Sequence, residues 1–178
     1  MHSKLQLAHT SHLDATTLEA ARALLDEVFG NEMTDHDWEH ALGGMHALVW
    51  EGSDIVGHAS VIQRRLIHTG RALRTGYVEG VAVQPDRRGH GYGAALMDEL
   101  EQVIRGAYDL GALGSTDEGA TFYAKRGWRA WQGKTWALTP DGPVRTDDDD
   151  GGIYVLEVGA RLDLSADLTC DWRDGSLW

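Results

Sequence analysis

A glycine-rich loop with two arginines is the part of the sequence best suited to chemistry. Gly89, Gly91 and Gly93 are spaced two apart and follow Arg87 and Arg88 directly. Glycines let the backbone approach a phosphate closely, and the first N–H groups of a helix carry partial positive charge. The pattern therefore predicts an anion site. It is neither a Walker loop, which needs Gly-Lys-Ser/Thr, nor the dinucleotide fingerprint Gly-x-Gly-x-x-Gly.

The loop lies between a segment with strand character and a segment with helix character. Tyr77 to Val83 is rich in β-branched and aromatic residues and stops before Pro85, as an ending strand does. Beyond the loop, apolar residues recur at helical spacing and predict a helix over 93–106. The members of this apolar stripe are Leu96, Met97, Leu100, Val103 and Ile104.

The remaining chain predicts an α+β domain. Asp14 is placed to cap a first helix that ends at Gly30, and Thr34 to cap a short second helix. Gly57 is a candidate β-bulge. An antiparallel meander and one crossover helix then favour a mixed, mostly antiparallel sheet flanked by helices. Strands are expected at 5–9, 45–50, 54–68, 73–83, 108–113, 128–138 and 153–158, a further helix around 120–124, and a turn at 139–143.

Length and composition indicate one soluble domain over residues 1–178, without internal repeats or a flexible linker. No apolar run approaches the roughly 20 residues of a membrane span, and the N-terminus lacks the apolar core of a signal peptide. A single cysteine, Cys170, cannot form an internal disulfide, so we expect a reducing cytoplasm.

The charge balance limits the partners. Lys and Arg number 16 against 28 Asp and Glu, which gives a net charge of −12 and argues against nucleic acid and anionic lipid. The same balance suits a cationic ligand.

Nine histidines raise the question of a metal site, but only His36 and His40 have helical ligand spacing, without further ligands, so we expect no metal.

Two motifs together resemble a known superfamily. Arg88-Gly89-His90-Gly91-Tyr92-Gly93-Ala94 matches Arg/Gln-x-x-Gly-x-Gly/Ala, the coenzyme pyrophosphate loop of the GCN5-related N-acetyltransferases. Phe122-Tyr123-Ala124-Lys125-Arg126-Gly127-Trp128 looks like their second signature, in which a helical tyrosine precedes a Gly-aromatic turn. An ordinary Gly-rich turn is the alternative for the loop alone.

A closer resemblance covers nearly the whole chain, to the aminoglycoside 2′-N-acetyltransferases of mycobacteria and relatives. It rests on four stretches, and Gly114 and Ser176 depart from it where a serine and an aspartate that touch the drug are expected. The stretches are Leu42 to Ala47, Gly76 to Gly80, Tyr108 to Leu113 and Cys170 to Trp178.

The resemblance implies acetyl transfer from acetyl-CoA by direct attack of an amine on the thioester. Glu79 would be the base, acting through water, with a solvent-facing residue or an ion pair to Arg74 as the alternative. Tyr123 would be the acid that protonates the coenzyme sulfur, and a backbone N–H near Val81 would polarise the carbonyl. The coenzyme would be held by Val81, Val83, Arg88, Gly89, Gly91, Gly93 and Ala94, with Arg87 or Arg88 reaching its phosphates.

The resemblance also places negative charge around a polycationic drug. Expected contacts are Asp37, Glu79, Gly80, Asp149 and the terminal carboxylate of Trp178, with Asp35 or Asp148 as substitutes and Trp172 helping Trp178 to pin the terminus. It suggests a homodimer. Two alternatives remain open: the same chemistry on a polyamine, a cell-envelope amine or a protein N-terminus, and a non-catalytic acetyl-CoA binder.

Overall fold

The structure is a computed structural model that describes residues 3–178, without the side chain of Asn31. It has four α-helices and ten strands in the described chain. The helices are α1 (Ala15–Phe29), α2 (Asp35–His40), α3 (Tyr92–Ala107) and α4 (Asp117–Lys125). The strands are β1 (Ser3–His9), β2 (Met45–Glu51), β3 (Asp54–His68), β4 (Arg71–Val83), β5 (Leu110–Gly114), β6 (Arg129–Ala130), β7 (Thr135–Thr139), β8 (Gly142–Arg145), β9 (Ile153–Glu157) and β10 (Leu168–Cys170).

The chain divides into two compact units. The first comprises the residues up to Ile62 together with Val78–Val103, and the second comprises Gln63–Tyr77 together with Ile104–Trp178. The expectation of a single domain over 1–178 stays a prediction.

The first unit is built on an antiparallel β1-β2-β3 arrangement with α1, α2 and most of α3. β1 pairs with β2 and β2 with β3, and the register shifts where Val49 faces Gly57 and Trp50 faces Ile55. Val56 is the extra residue, so the bulge lies next to the predicted Gly57. Asp14 caps α1 by accepting from Thr17 N–H.

The second unit contains a mixed sheet in the order β6-β9-β5-β4-β3-β10-β7-β8. β4 with β5 and β10 with β7 are parallel, whereas the pairs β5–β9, β6–β9, β7–β8 and β10–β3 are antiparallel. Gly76 of β4 faces Gly111 of β5. A Cβ at Gly76 would lie 2.8 Å from Ile104, so the glycine lets the end of α3 pack closely.

Three predictions about elements need correction. The strand expected over 128–138 is broken into β6 and β7, because the N–H groups of Gln132 and Gly133 both donate to the carbonyl of Leu164, which lies outside the strands. The predicted turn at 139–143 is confirmed only as the tip of the β7–β8 hairpin, since β8 begins at Gly142. The tail contributes a strand, β10, that was not predicted.

Candidate active site

The glycine-rich loop joins β4 to α3 in the first unit. Gly89 and Gly91 both have φ +82°, a left-handed conformation that favours glycine, and a Cβ at either would meet no atom within 4 Å. The first helical hydrogen bond runs from Ala95 N–H to Gly91 C=O. The N–H groups of 92, 93 and 94 therefore precede the helical ladder and are available to an anion.

The two loop arginines have different surroundings. Arg87 lies 2.9 Å from Glu51 and 2.7 Å from Asp86, and Glu51 also accepts from the Tyr92 hydroxyl at 2.6 Å. The Tyr92 and Arg87 hydrogen bonds lower the pKa of Glu51. Arg87 is thus paired with carboxylates. Among the hydrogen bonds of the described residues, the Arg88 guanidinium makes one, to the backbone carbonyl of Val83 at 3.4 Å. Of the two arginines that the sequence left open, Arg88 is the better placed for phosphates.

Glu79 and Gly80 lie in the part of β4 that precedes the loop. The Glu79 residue is half-buried, and its backbone carbonyl accepts from the Ser60 hydroxyl at 3.4 Å. Gly80 has φ +57°, a left-handed conformation within β4 that favours glycine. Val81, next in the chain, is half-buried. The alternative for Glu79 was an ion pair with Arg74; the structure pairs Arg74 with Asp109 instead, at 3.4 Å.

Two buried histidines form a chain of hydrogen bonds that ends at Gly80, and the sequence interpretation missed their role. His58 Nδ1 lies 2.7 Å from the Gly80 carbonyl, His58 Nε2 lies 3.0 Å from His46 Nδ1, and His46 Nε2 lies 2.7 Å from the Thr10 hydroxyl. Burial lowers the pKa of His46 to about 3 and that of His58 to about 4. Their position within apolar stretches of β2 and β3 was the available signal.

Asp37, a predicted drug contact, has a structural task in the first unit. It completes a capping box at the start of α2, because its Oδ2 accepts from the Thr34 N–H at 2.9 Å and the Thr34 hydroxyl at 2.6 Å. The residue is half-buried. Its role toward a substrate stays a prediction.

Tyr123, the predicted acid, is in α4 of the second unit and is only 8% exposed. Its ring packs edge-on against Phe122 and Trp128, and its carbonyl accepts from Trp128 N–H at 3.1 Å. Burial raises the pKa of Tyr123 to about 12. The phenol therefore keeps its proton at neutral pH and is available as a donor.

The acidic run contains members with different tasks. Asp150 accepts from Arg145 at 2.6 Å and from the Thr135 N–H at 2.9 Å, so it fixes the start of β7. Asp149, half-buried in the preceding turn, has a raised pKa, chiefly from burial and then from Asp148 and Asp150. Within the run, Asp149 is therefore the carboxylate whose pKa is raised by burial.

The C-terminus is pinned, as the sequence required for a useful terminal carboxylate. Trp178 is 7% exposed, and its indole N–H donates to the Thr146 hydroxyl at 2.8 Å. The buried Arg64 donates to the Leu177 carbonyl at 2.7 Å. Trp172, expected to share this task, is 48% exposed, and that part of the prediction is wrong.

Among residues 3–178, no group of three or more His, Cys, Asp and Glu side chains is arranged to hold a metal ion. No helix in the same range is long and apolar enough to span a membrane.

Comparisons with known proteins agree with these features. The acetyltransferase (GNAT) domain family matches residues 9–131. An aminoglycoside 2′-N-acetyltransferase from Mycolicibacterium fortuitum is 51% identical over 177 residues, which cover 97% of this chain and 91% of that protein.

Two solved structures share the fold. A GCN5-related N-acetyltransferase from Kribbella flavida has a TM-score of 0.60 at 22% identity, over 74% of this chain and 34% of that one. Escherichia coli ElaA has a TM-score of 0.64 at 23% identity, over 88% of this chain and 100% of that one. These likenesses confirm the predicted mixed sheet with flanking helices. The domain match and the 51% identity together show that the chain belongs to the GCN5-related N-acetyltransferases and, among them, to the aminoglycoside 2′-N-acetyltransferase family.

Proposed function

We propose that the protein transfers an acetyl group from acetyl-CoA to the 2′-amine of aminoglycoside antibiotics and so confers resistance. The observation that carries the proposal is the 51% identity, over 97% of the chain, to a protein named for that reaction. The presence of Glu79, Tyr123 and the complete glycine loop supports catalysis over a non-catalytic role as a coenzyme binder.

The coenzyme side is formed by the end of β4 and the start of α3. The left-handed Gly89 and Gly91, with no atom near their missing Cβ positions, leave room for a pyrophosphate, and the N–H groups of Gly93 and Ala94 precede the helical ladder. Arg88 adds positive charge. The backbone at Val81 and Val83 would pair with the pantetheine arm as an added strand does. Acetyl-CoA supplies the thioester carbon that the amine attacks.

Glu79 removes a proton from the drug, through water. An aminoglycoside amine is mostly ammonium at pH 7 and attacks only when neutral, so a base is required. The half-buried position of Glu79, one residue before the left-handed Gly80, supports this role.

Tyr123 supplies the proton that the departing sulfur needs. Burial holds its pKa at about 12, so the hydroxyl is protonated throughout the working range of the enzyme. The thiolate leaves more readily when it is protonated as it departs.

Carboxylates recognise the drug. Asp149 and the terminal carboxylate of the pinned Trp178 are the strongest candidates, because Asp149 is half-buried without a cationic partner among its pKa determinants and Trp178 is held by Thr146. Asp37 offers only one carboxylate oxygen beyond its capping bonds.

A homodimer and a cytoplasmic location also belong to this proposal. Sedimentation equilibrium tests the homodimer.

The test is thiol release from acetyl-CoA with two drugs. Tobramycin carries a 2′-amine and kanamycin A a 2′-hydroxyl, so we expect turnover with tobramycin alone. Turnover with both would show acetylation at another position and overturn the regiochemistry. No turnover with either drug, alongside tight coenzyme binding, would favour another amine substrate, such as a polyamine or an envelope precursor, or a non-catalytic acetyl-CoA binder.

A further inference from the structure

The carbonyl of Gly80 determines where the protons lie on both buried histidines. A carbonyl only accepts, so the 2.7 Å contact places a proton on His58 Nδ1. In a neutral ring, His58 Nε2 is then an acceptor, and His46 Nδ1 must donate to it. His46 Nε2 in turn accepts from the Thr10 hydroxyl. In this relay of Thr10, His46 and His58, both imidazole N–H donors therefore point toward Gly80. The Thr10 hydroxyl also lies 3.2 Å from the Gly44 carbonyl, but His46 Nε2 is nearer, at 2.7 Å.

The relay is built to stay neutral. Both imidazoles are 0% exposed, and their lowered pKa values keep them uncharged above about pH 5. The far end of the relay is also hydrogen-bonded, because the Thr10 hydroxyl oxygen accepts from the Gly43 N–H at 2.9 Å. A fully hydrogen-bonded buried network of this kind holds its members rigidly.

What the relay holds is the peptide between Gly80 and Val81. The described chain has no cis peptide bond, and in a trans peptide the C=O and the following N–H point in opposite directions. His58 therefore fixes the direction of Val81 N–H, away from the imidazole. The left-handed φ of +57° favours glycine here, and a Cβ would also lie 3.2 Å from both His58 Cε1 and Leu25 Cδ1.

We propose that His58 is a positioning residue for acetyl transfer, with His46 supporting it by donating to its Nε2, and that the relay orients Val81 N–H to donate to the thioester carbonyl oxygen. This inference rests on the proposed function and on the expectation from the family resemblance that a backbone N–H near Val81 polarises the carbonyl. A donor aimed in advance at the oxygen that gains charge stabilises the transition state without reorganising during the reaction.

Three substitutions at His58 separate positioning from packing. The amide nitrogen of asparagine lies near the place of Nδ1, that of glutamine near the place of Nε2, and leucine fills space without a donor. We expect His58→Leu to lower kcat about 10- to 100-fold, short of the loss caused by deleting an oxyanion donor outright. His58→Asn should recover most of this loss, and His58→Gln should not.

Coenzyme binding supplies the second readout. Free CoA lacks the acetyl carbonyl, so its Kd should change less than about twofold in all three variants, while the preference for acetyl-CoA over CoA should fall in His58→Leu. His12→Leu, at an exposed histidine, is the matched control. Equal losses in the three variants, or a folded His58→Leu enzyme with wild-type kcat, would overturn the proposal.

The tautomers can be measured on the unmodified protein if the leucine variant does not fold. Nitrogen-15 NMR should find the proton on Nδ1 of both His46 and His58 at pH 7, and a proton on Nε2 of either ring would overturn the relay. This measurement needs no drug. Its failure is therefore distinct from failure of the proposed function, which would appear as a wild-type enzyme inactive toward tobramycin.

Discussion

The glycine loop of the first unit and the acidic turn of the second are both proposed to bind charged ligands, but they are built differently. The loop presents backbone N–H groups, and its geometry depends on two left-handed glycines, Gly89 and Gly91. The acidic turn, Asp147–Asp149, presents side chains, and its neighbour Asp150 is committed to Arg145 and Thr135.

The difference shows what each construction requires. A backbone site needs particular φ angles, which few residue types allow, so each glycine has a narrow task. A carboxylate site tolerates exchange among several aspartates, because charge acts over distance and is screened by salt. We therefore expect substitutions in and beside β4 to have large, specific effects, and those in the acidic turn to have small, salt-dependent ones.

The largest effect should come from Glu79→Gln, which removes the proposed base and keeps its shape. At pH 7 we expect kcat/KM to fall about 10²- to 10⁴-fold, the range for losing a general base. The loss should shrink as pH rises, because bulk solvent then supplies more neutral amine. The measurement is kcat/KM from pH 6 to 9, with CoA affinity by calorimetry as the control. Parallel pH profiles for the two enzymes would contradict a role as base.

A second prediction contrasts the two units in acid. The pKa of His58 is lowered from 6.5 to about 4, so below pH 6.5 the unfolded chain binds more protons than the folded one. Stability should fall between pH 6.5 and 4, by about 3 kcal/mol at most for His58. The pKa of Asp150 is also lowered, by Arg145 first, so its contribution is lost only below about pH 4.

Urea unfolding across this pH range measures both windows. His58→Asn should reduce the slope between pH 6.5 and 4 without abolishing it, because His46, whose pKa is lowered to about 3, contributes in the same range. It should leave the contribution of Asp150 below pH 4 in place. Asp150→Asn should reduce the slope below pH 4 and leave the slope between pH 6.5 and 4 unchanged. If both variants reduced the slope in the same pH range, the two slopes would not report the separate titrations of His58 and Asp150.

The glycine loop could be predicted from sequence because its constraint is local. Glycines at this fixed spacing, between a strand and a helix, are typical of a turn that binds phosphate through its backbone. The helix expected over 93–106 differs from α3 by one residue at each end. The helix that carries Tyr123 and the turn after it were predictable for the same reason, because Gly127-Trp128 marks the turn within the local sequence.

The histidine relay and the contacts that pin the terminus could not be predicted, because they depend on residues far apart in the chain. Thr10, His46, His58 and Gly80 lie on separate segments and meet only after the strands pair. Arg64 likewise contacts Leu177 across 113 positions. Composition alone also cannot tell that Trp178 is buried while Trp172 is exposed.

A third prediction tests the backbone construction. Gly91→Ala places a Cβ at φ +82°, which costs about 1–2 kcal/mol for an L-residue, so the KM for acetyl-CoA should rise about 10-fold. Gly106→Ala is the matched control, because Gly106 is exposed in α3 without a left-handed φ and should gain helix stability. Equal coenzyme KM values in the two variants would show that the left-handed conformation is not needed for binding.

The smallest effect should come from Asp149→Asn. Asp149 is a half-buried carboxylate in the acidic turn, and its replacement by an amide removes one attraction for a polycationic drug. We expect the tobramycin KM to rise about fivefold at low salt and less at about 0.5 M salt, because partly exposed ion pairs contribute about 1 kcal/mol or less and are screened. The KM for acetyl-CoA should stay constant.

Asp148→Asn is the control that decides what kind of site the acidic turn forms. Asp148 carries the same charge one residue away but is exposed, so a direct contact at Asp149 predicts a smaller effect from Asp148. Equal effects would mean that the turn acts through its summed field, which any of its aspartates could supply. Because a field does not depend on one side chain, that result would sharpen the contrast with the glycine loop, where position decides binding.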